Sequence, residues 1–217
     1  MQNQEKIEEI QEEYRENNAS RLKRGLDVFG ELFVLNLIFI LFSLPVITIG
    51  ASLTALYSVT GKLVRREDVP VWSGFIKAFR ENFKKATILW IFVFLYAVVL
   101  VSQYLLIINV SGVVSTIYMV IFFITLALGF LVLPYLFALT ARYENTIRNT
   151  LKNALLLGIS HLGTSLKISC LWFGSVMISV IYPKIFLFTW YLWLLLFFAL
   201  FAYITSGMLR KVFEKVE

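Results

Sequence analysis

The stretch VWSGFIKAFRENFKKATILW (Val71–Trp90) changes character halfway along. Trp72, Phe75, Ile76, Phe79 and Phe83 recur at spacings of three and four, with Lys77, Arg80, Glu81 and Lys84 on the opposite face. Such spacing predicts an amphipathic helix. From Thr87 onward the chain is continuously apolar, as a membrane span requires. A boundary near Lys85 therefore separates a surface helix from a span, and the rest of the chain can be read outward from it.

Of the 217 residues, 59% are apolar and 16% aromatic, with a mean hydropathy of +0.78. A soluble domain is about 45–50% apolar, so the composition is that of a polytopic membrane protein. The runs are continuously apolar, whereas the strands of a membrane β-barrel alternate over about 10 residues. The expected fold is all-α, with spans near 26–44, 51–65, 87–109, 114–140, 166–182 and 186–208 in a membrane domain of residues 25–217. Residues 26–64 are too long for one span and tight for two. In LPVITIGAS, Pro45 interrupts helical bonding and Gly50 permits a turn. This pair is either a full hairpin or a re-entrant pair that never crosses fully.

The net charge of +6 matters less than where the charges sit. Lys62, Arg65, Arg66, Lys77, Arg80, Lys84 and Lys85 lie in one connecting segment, and Arg142, Arg148, Lys152 and Lys167 in another. Arg210, Lys211 and Lys215 lie at the C-terminus, while the two remaining turns hold only Lys184. The positive-inside rule makes the basic segments cytoplasmic and both termini internal. An even number of crossings follows: six spans as three hairpins. Two amphipathic cytoplasmic helices join the hairpins, the second built on Tyr143, Ile147, Thr150, Leu151 and Ala154. This placement beside apolar segments also argues against nucleic-acid binding.

The first 24 residues form an acidic polar tail, with Glu5, Glu8, Glu9, Glu12, Glu13 and Glu16 against Lys6 and Arg15. Its stripe of Ile7, Ile10 and Tyr14 is too thin for a stable isolated helix, and Asn17-Asn18-Ala19-Ser20 interrupts it. No cleavable signal pattern precedes the first span, which is expected to serve as an uncleaved insertion signal.

Candidate chemistry is sparse. One cysteine, Cys170, and one histidine, His161, cannot form a disulfide or a Cys/His zinc site. No catalytic constellation, metal site or cofactor motif is present, so no enzyme activity is expected. Cys170 is expected to be a buried small hydrophobe and His161 an interfacial residue. Asp27 and Glu31 share one face of the first span and are candidate intramembrane acids. A hairpin would bring Glu31 opposite Lys62–Arg66, which favours an ion pair. Asn36 and Gln103 are the deep amides, better suited to bonds across helices than to substrate contact. Ser52, Thr54, Ser58, Thr60 and Gly61 on the second span suit close packing.

The run LNLIFILFSLPVITIGASLTALYSVTGKLVRRED (35–68), followed by FIKAFRENFKKATILW (75–90), resembles the YesL family of small bacterial integral membrane proteins. LPYLFALTARYENTIRNTLKNALLLGISHL (133–162) and LRKVFEKVE (209–217) are similar to it too, so the resemblance covers about residues 22–217. Its most specific parts are the Leu44-Pro45…Thr48-Ile49-Gly50 turn and Phe79-Arg80-Glu81-Asn82-Phe83. The resemblance implies a family of unknown function, often encoded beside carbohydrate ABC importers, and supplies no catalytic residue. Trp72, Phe75, Lys77, Phe79, Arg80, Phe83 and Lys84 are then the candidate contact residues, either with anionic headgroups or with a protein partner. The expected function is a non-enzymatic accessory or assembly protein of a carbohydrate-uptake system, binding ABC importer subunits. The alternative is a small transporter or channel, alone or as a homo-oligomer, with Asn36, Ser52, Thr54 and Gln103 along a polar path.

Overall fold

The computed structural model describes the backbone of residues 2–215 and the side chains of residues 18–215. The side chains of Ile7, Ile10, Tyr14 and the tail glutamates thus lie outside the described residues. Eight α-helices follow one another: α1 (Gln2–Ser43), α2 (Ile49–Val64), α3 (Val71–Asn109), α4 (Val113–Arg142), α5 (Ile147–Ser160), α6 (Leu162–Ile181), α7 (Pro183–Leu192) and α8 (Phe198–Phe213). A 3₁₀ turn (Val46–Thr48) links α1 to α2, and a π-helical turn (Trp193–Phe197) links α7 to α8. No strand occurs among the described residues. Six segments are long and apolar enough to cross a membrane: Asn18–Ser43, Val46–Val64, Val71–Asn109, Val113–Arg142, Leu162–Ile181 and Pro183–Phe213. The chain is an all-α multi-pass membrane protein.

Two expected boundaries are absent. Asn17–Ser20 does not interrupt the chain, because α1 runs unbroken from Gln2. Asn17, Asn18 and Ser20 each cost only about 0.5 kcal/mol of helix propensity and Ala19 none, so an established helix propagates through them. Nor does a surface helix separate from a span near Lys85: α3 is one rod of 39 residues. Beyond Gly74 it meets neither glycine nor proline, so nothing ends it. The second connector does stand alone as α5, started by Thr146, whose Oγ1 accepts from the Asn149 amide at 3.3 Å.

Packing divides the molecule into two halves. Gly74 of α3 faces Val59 of α2, and Gly50 at the start of α2 sits against Ala86 and Trp90. Helix α2 therefore covers only the first half of α3, which continues from Trp90 to Asn109 for about 28 Å more. At the end of α1, Phe42 packs on Phe75 and Phe79, with ring centroids 5.6 and 5.1 Å away. The α1–α2 pair thus lies beside the first half of α3. The buried core, including Leu35, Leu56, Phe75, Tyr135 and Leu209, lies in this half of the bundle. In the other half, α3 from Ile91, α4 up to Leu128, α6 and α7 turn their large apolar side chains outward, as helices in hydrocarbon do.

Polar side chains repair the breaks in helical bonding. Pro134 inside α4 has no N–H for the Phe130 carbonyl, and Ser169 Oγ of α6 donates to that carbonyl at 2.9 Å. Helix α2 ends with Arg66 in the left-handed region (φ 65°). The Glu67 amide then reaches the Lys62 carbonyl at 3.1 Å, closing a Schellman turn usually built on glycine.

Candidate functional site

The first turns of α3 are fixed from behind. Phe75 is fully buried and Phe79 half-buried, both against Phe42 of α1. Neither presents an aromatic face to headgroups, so the expected seven-residue contact surface reduces to five. Trp72 (57% exposed), Phe83 (41% exposed), Lys77, Arg80 and Lys84 remain exposed. The result is a cationic ridge on a rigid backing, with Lys77 4.0 Å from Glu81 one turn along.

The deep polar residues do not form one path. Asn36, with no exposed surface, donates from Nδ2 to the carbonyls of Trp193 (3.1 Å) and Leu194 (2.8 Å). Its Oδ1 accepts from the Ala199 amide at 2.9 Å. Thr54 returns its hydroxyl to Gly50 one turn back, and Ser52 is buried without a hydrogen-bond partner. Gln103 lies elsewhere, donating to Thr125 Oγ1 at 3.2 Å across the α3–α4 pair. Asn36 and Gln103 thus bond across helices.

Three other expectations need correction or placement. Glu31 forms no ion pair among the described residues and lies within electrostatic reach of Asp68, Asp27 and Arg24. Its expected partner Arg65 instead bonds Glu67 through Nε at 2.6 Å. Asp27 is exposed. Cys170 is exposed rather than buried, because it falls on the outward stripe of α6 with Leu166, Phe173 and Met177. His161 stands at the junction of α5 and α6, its Nδ1 buried without a partner.

Helix ends from three distant parts of the chain gather a cluster that the linear charge pattern does not reveal. Lys62 and Arg65 of the α2 end, Arg142 of α4 and Arg210 of α8 line one half-enclosed cavity of about 210 Å³. Ser58 and Ser206 also line it, the latter paired with Thr60 Oγ1 at 2.9 Å. Arg210 donates from Nη1 to the Val64 carbonyl at 3.2 Å and from Nε to Glu214 at 2.6 Å. The Arg142 guanidinium lies over the rings of Tyr143 and Phe213, 5.6 and 5.2 Å from their centroids. On the rim, the bond from Arg65 holds the Glu67 carboxyl below the usual carboxylate range. These four cations read in sequence only as topology signals, since the contacts between α2, α4 and α8 are what unite them.

Residues 32–104 match the model of a family described as protein of unknown function, DUF624. The match takes in the end of α1 with Asn36, all of α2 and most of α3 with its cationic ridge. No curated protein and no solved structure matches the chain.

Proposed function

We propose that this chain belongs to the YesL family and is a non-enzymatic accessory protein of a carbohydrate-uptake system. In this reading it sits in the bacterial cytoplasmic membrane with both termini inside. It docks an ABC sugar importer or its ATPase through the start of α3. The observation that carries the reading is the ridge of Trp72, Lys77, Arg80, Phe83 and Lys84, exposed on a helix whose other face is held by Phe42. A pre-organised surface loses little side-chain and backbone freedom on binding, and aromatic and cationic side chains favour an acidic partner patch. The family match over residues 32–104 and the resemblance along the rest of the chain support the same context. A headgroup anchor is less well supported, because Phe75 and Phe79 face protein. The transporter reading loses support as well, because Asn36, Ser52, Thr54 and Gln103 occupy separate helix contacts.

Residue-mapped crosslinking in native membranes, followed by capture in mild detergent, tests the proposal. Wild-type protein should bring down an importer subunit crosslinked at Lys77 or Lys84. Changing Lys77, Arg80 and Lys84 together to Gln should remove that subunit without reducing membrane insertion. Capture of no transporter subunit by the wild type would sink the reading.

A further inference from the structure

A second cavity, apolar and of about 230 Å³, lies between α2, α3, α4 and α6. It runs from Phe137 and Ile168, both buried, to Phe173 and Val176, both exposed on the outward face of α6. From Ile168 to Val176 that helix rises about 12 Å. The cavity is thus a slot that opens sideways onto hydrocarbon. Its walls are fixed by contacts made outside it. Trp172 donates from Nε1 to Thr205 Oγ1 at 3.1 Å and meets the Phe201 ring edge-on, with centroids 5.7 Å apart. Trp90 is backed by Gly50, and Ser169 gives its hydroxyl hydrogen to the Phe130 carbonyl that Pro134 leaves free. Collapse of the slot would break these contacts.

The chemistry of the lining selects the occupant. Besides Ser169 and Trp172, the Tyr57 hydroxyl is committed as well, to the Thr205 and Trp172 side chains. Little is left for a water, which needs two to four polar partners. An apolar space of about 150 Å³ already stays dry and takes up hydrocarbon. A helix of another chain, about 10 Å across, cannot enter the slot. A linear alkyl chain can, and alkyl chains are the medium at its mouth. We propose that the slot binds one acyl chain of a membrane lipid. The chain gains no hydrophobic energy on leaving the bilayer, since lipid tails are as apolar as the lining. It gains dispersion contacts for walls that would otherwise face a void. Filled in this way, the slot ties α6 to α2 and α3. The proposal does not depend on the importer reading, since its readout is lipid contact by the isolated protein.

The test is photolabelling of the full-length protein in phosphatidylcholine vesicles. A fraction of the phosphatidylcholine carries a diazirine in one acyl chain, and labelled residues are mapped by mass spectrometry. Outward residues such as Val180 are labelled by any surrounding lipid and serve as the internal reference. Phe137 and Ile168, 6% and 1% exposed, are reached only through the slot and should be labelled too. Val176→Trp places an indole in the mouth and should reduce that interior labelling about tenfold, the usual penalty for overpacking a filled space. Met177→Trp, one residue on, exposed and outside the slot, should leave it within about twofold. Both positions already face outward on α6, so neither change disturbs the buried core. Labels confined to outward residues overturn the proposal, as does an equal effect of Val176→Trp and Met177→Trp on Phe137 and Ile168.

Discussion

Asn36 of α1 and Ala199 of α8 are joined by a 2.9 Å hydrogen bond from the Ala199 amide to Asn36 Oδ1. The same side chain gives both amide hydrogens to the carbonyls of Trp193 and Leu194, at the π-helical turn where the regular α-helical ladder is interrupted. Only this orientation of the amide sets donors against carbonyls and the acceptor against an N–H. One buried amide therefore satisfies three backbone groups of another helix. The shape of the α7–α8 rod depends on α1.

Asn36→Ala should accordingly be among the most destabilising single changes in the protein. It leaves buried backbone groups without partners, at about 1–3 kcal/mol for each group that finds no other. Gln103→Leu removes a single bond and should cost about 0.6 kcal/mol, the usual size for a hydrogen bond between membrane helices. Chemical unfolding of both variants in the same detergent checks the ranking. Equal stabilities would mean that the π-helical turn does not rely on Asn36.

A methyl group at Gly50 would run into the Ala86 carbonyl and the Trp90 side chain, whereas one at Gly207 meets nothing within 4 Å. Gly50→Ala should therefore cost about 1–3 kcal/mol through forced separation of α2 and α3. Gly207→Ala should be neutral or stabilising by up to about 1 kcal/mol, since alanine is the better helix former. The pair of melting temperatures separates close packing from propensity.

The placement of the end of α1 beside the start of α3 has a direct chemical signature. In a Cys170→Ala background, Phe42→Cys combined with Phe75→Cys should crosslink in membranes with a short bifunctional thiol reagent, the two rings being 5.6 Å apart. Phe42→Cys combined with Ile107→Cys should not, because Ile107 lies about 48 Å along α3 from Phe75. The opposite result would place the end of α1 beside the far half of α3.

Acid should weaken the rim of the cationic cavity. Arg65 keeps the Glu67 pKa below its ordinary value of 4.5 in the folded state. A carboxylate lowered in this way stabilises the fold above the unfolded value, and that contribution fades as pH falls through the folded pKa. Wild type should therefore lose stability relative to Glu67→Gln as pH drops below 4.5, by a small margin because Glu67 is exposed. Melting temperatures from pH 6 to 3 (a range chosen to bracket about 4.5, the carboxylate value) give the comparison. Parallel curves would show that the Arg65–Glu67 bond is energetically silent.

Local chemistry alone determined much of this protein. Long apolar runs that must satisfy their own backbone in lipid become helices, and turn residues such as Gly112, at φ 76°, mark where they end. The same reasoning identified α5 as a separate helix and Asn36 as a bond across helices. Tertiary structure alone decided the rest. Hydropathy records how apolar a segment is but not what covers it, so the tight length of residues 26–64 left open how far α1–α2 reaches along α3. The continuity of α3 through Lys85 hid behind a change in surroundings, which is a different matter from a change in backbone. The cationic cavity arises from Lys62, Arg65, Arg142 and Arg210, up to 148 residues apart (210 − 62) and brought together by the packing of three helix ends. Charge acts through space, and only the folded chain sets those distances.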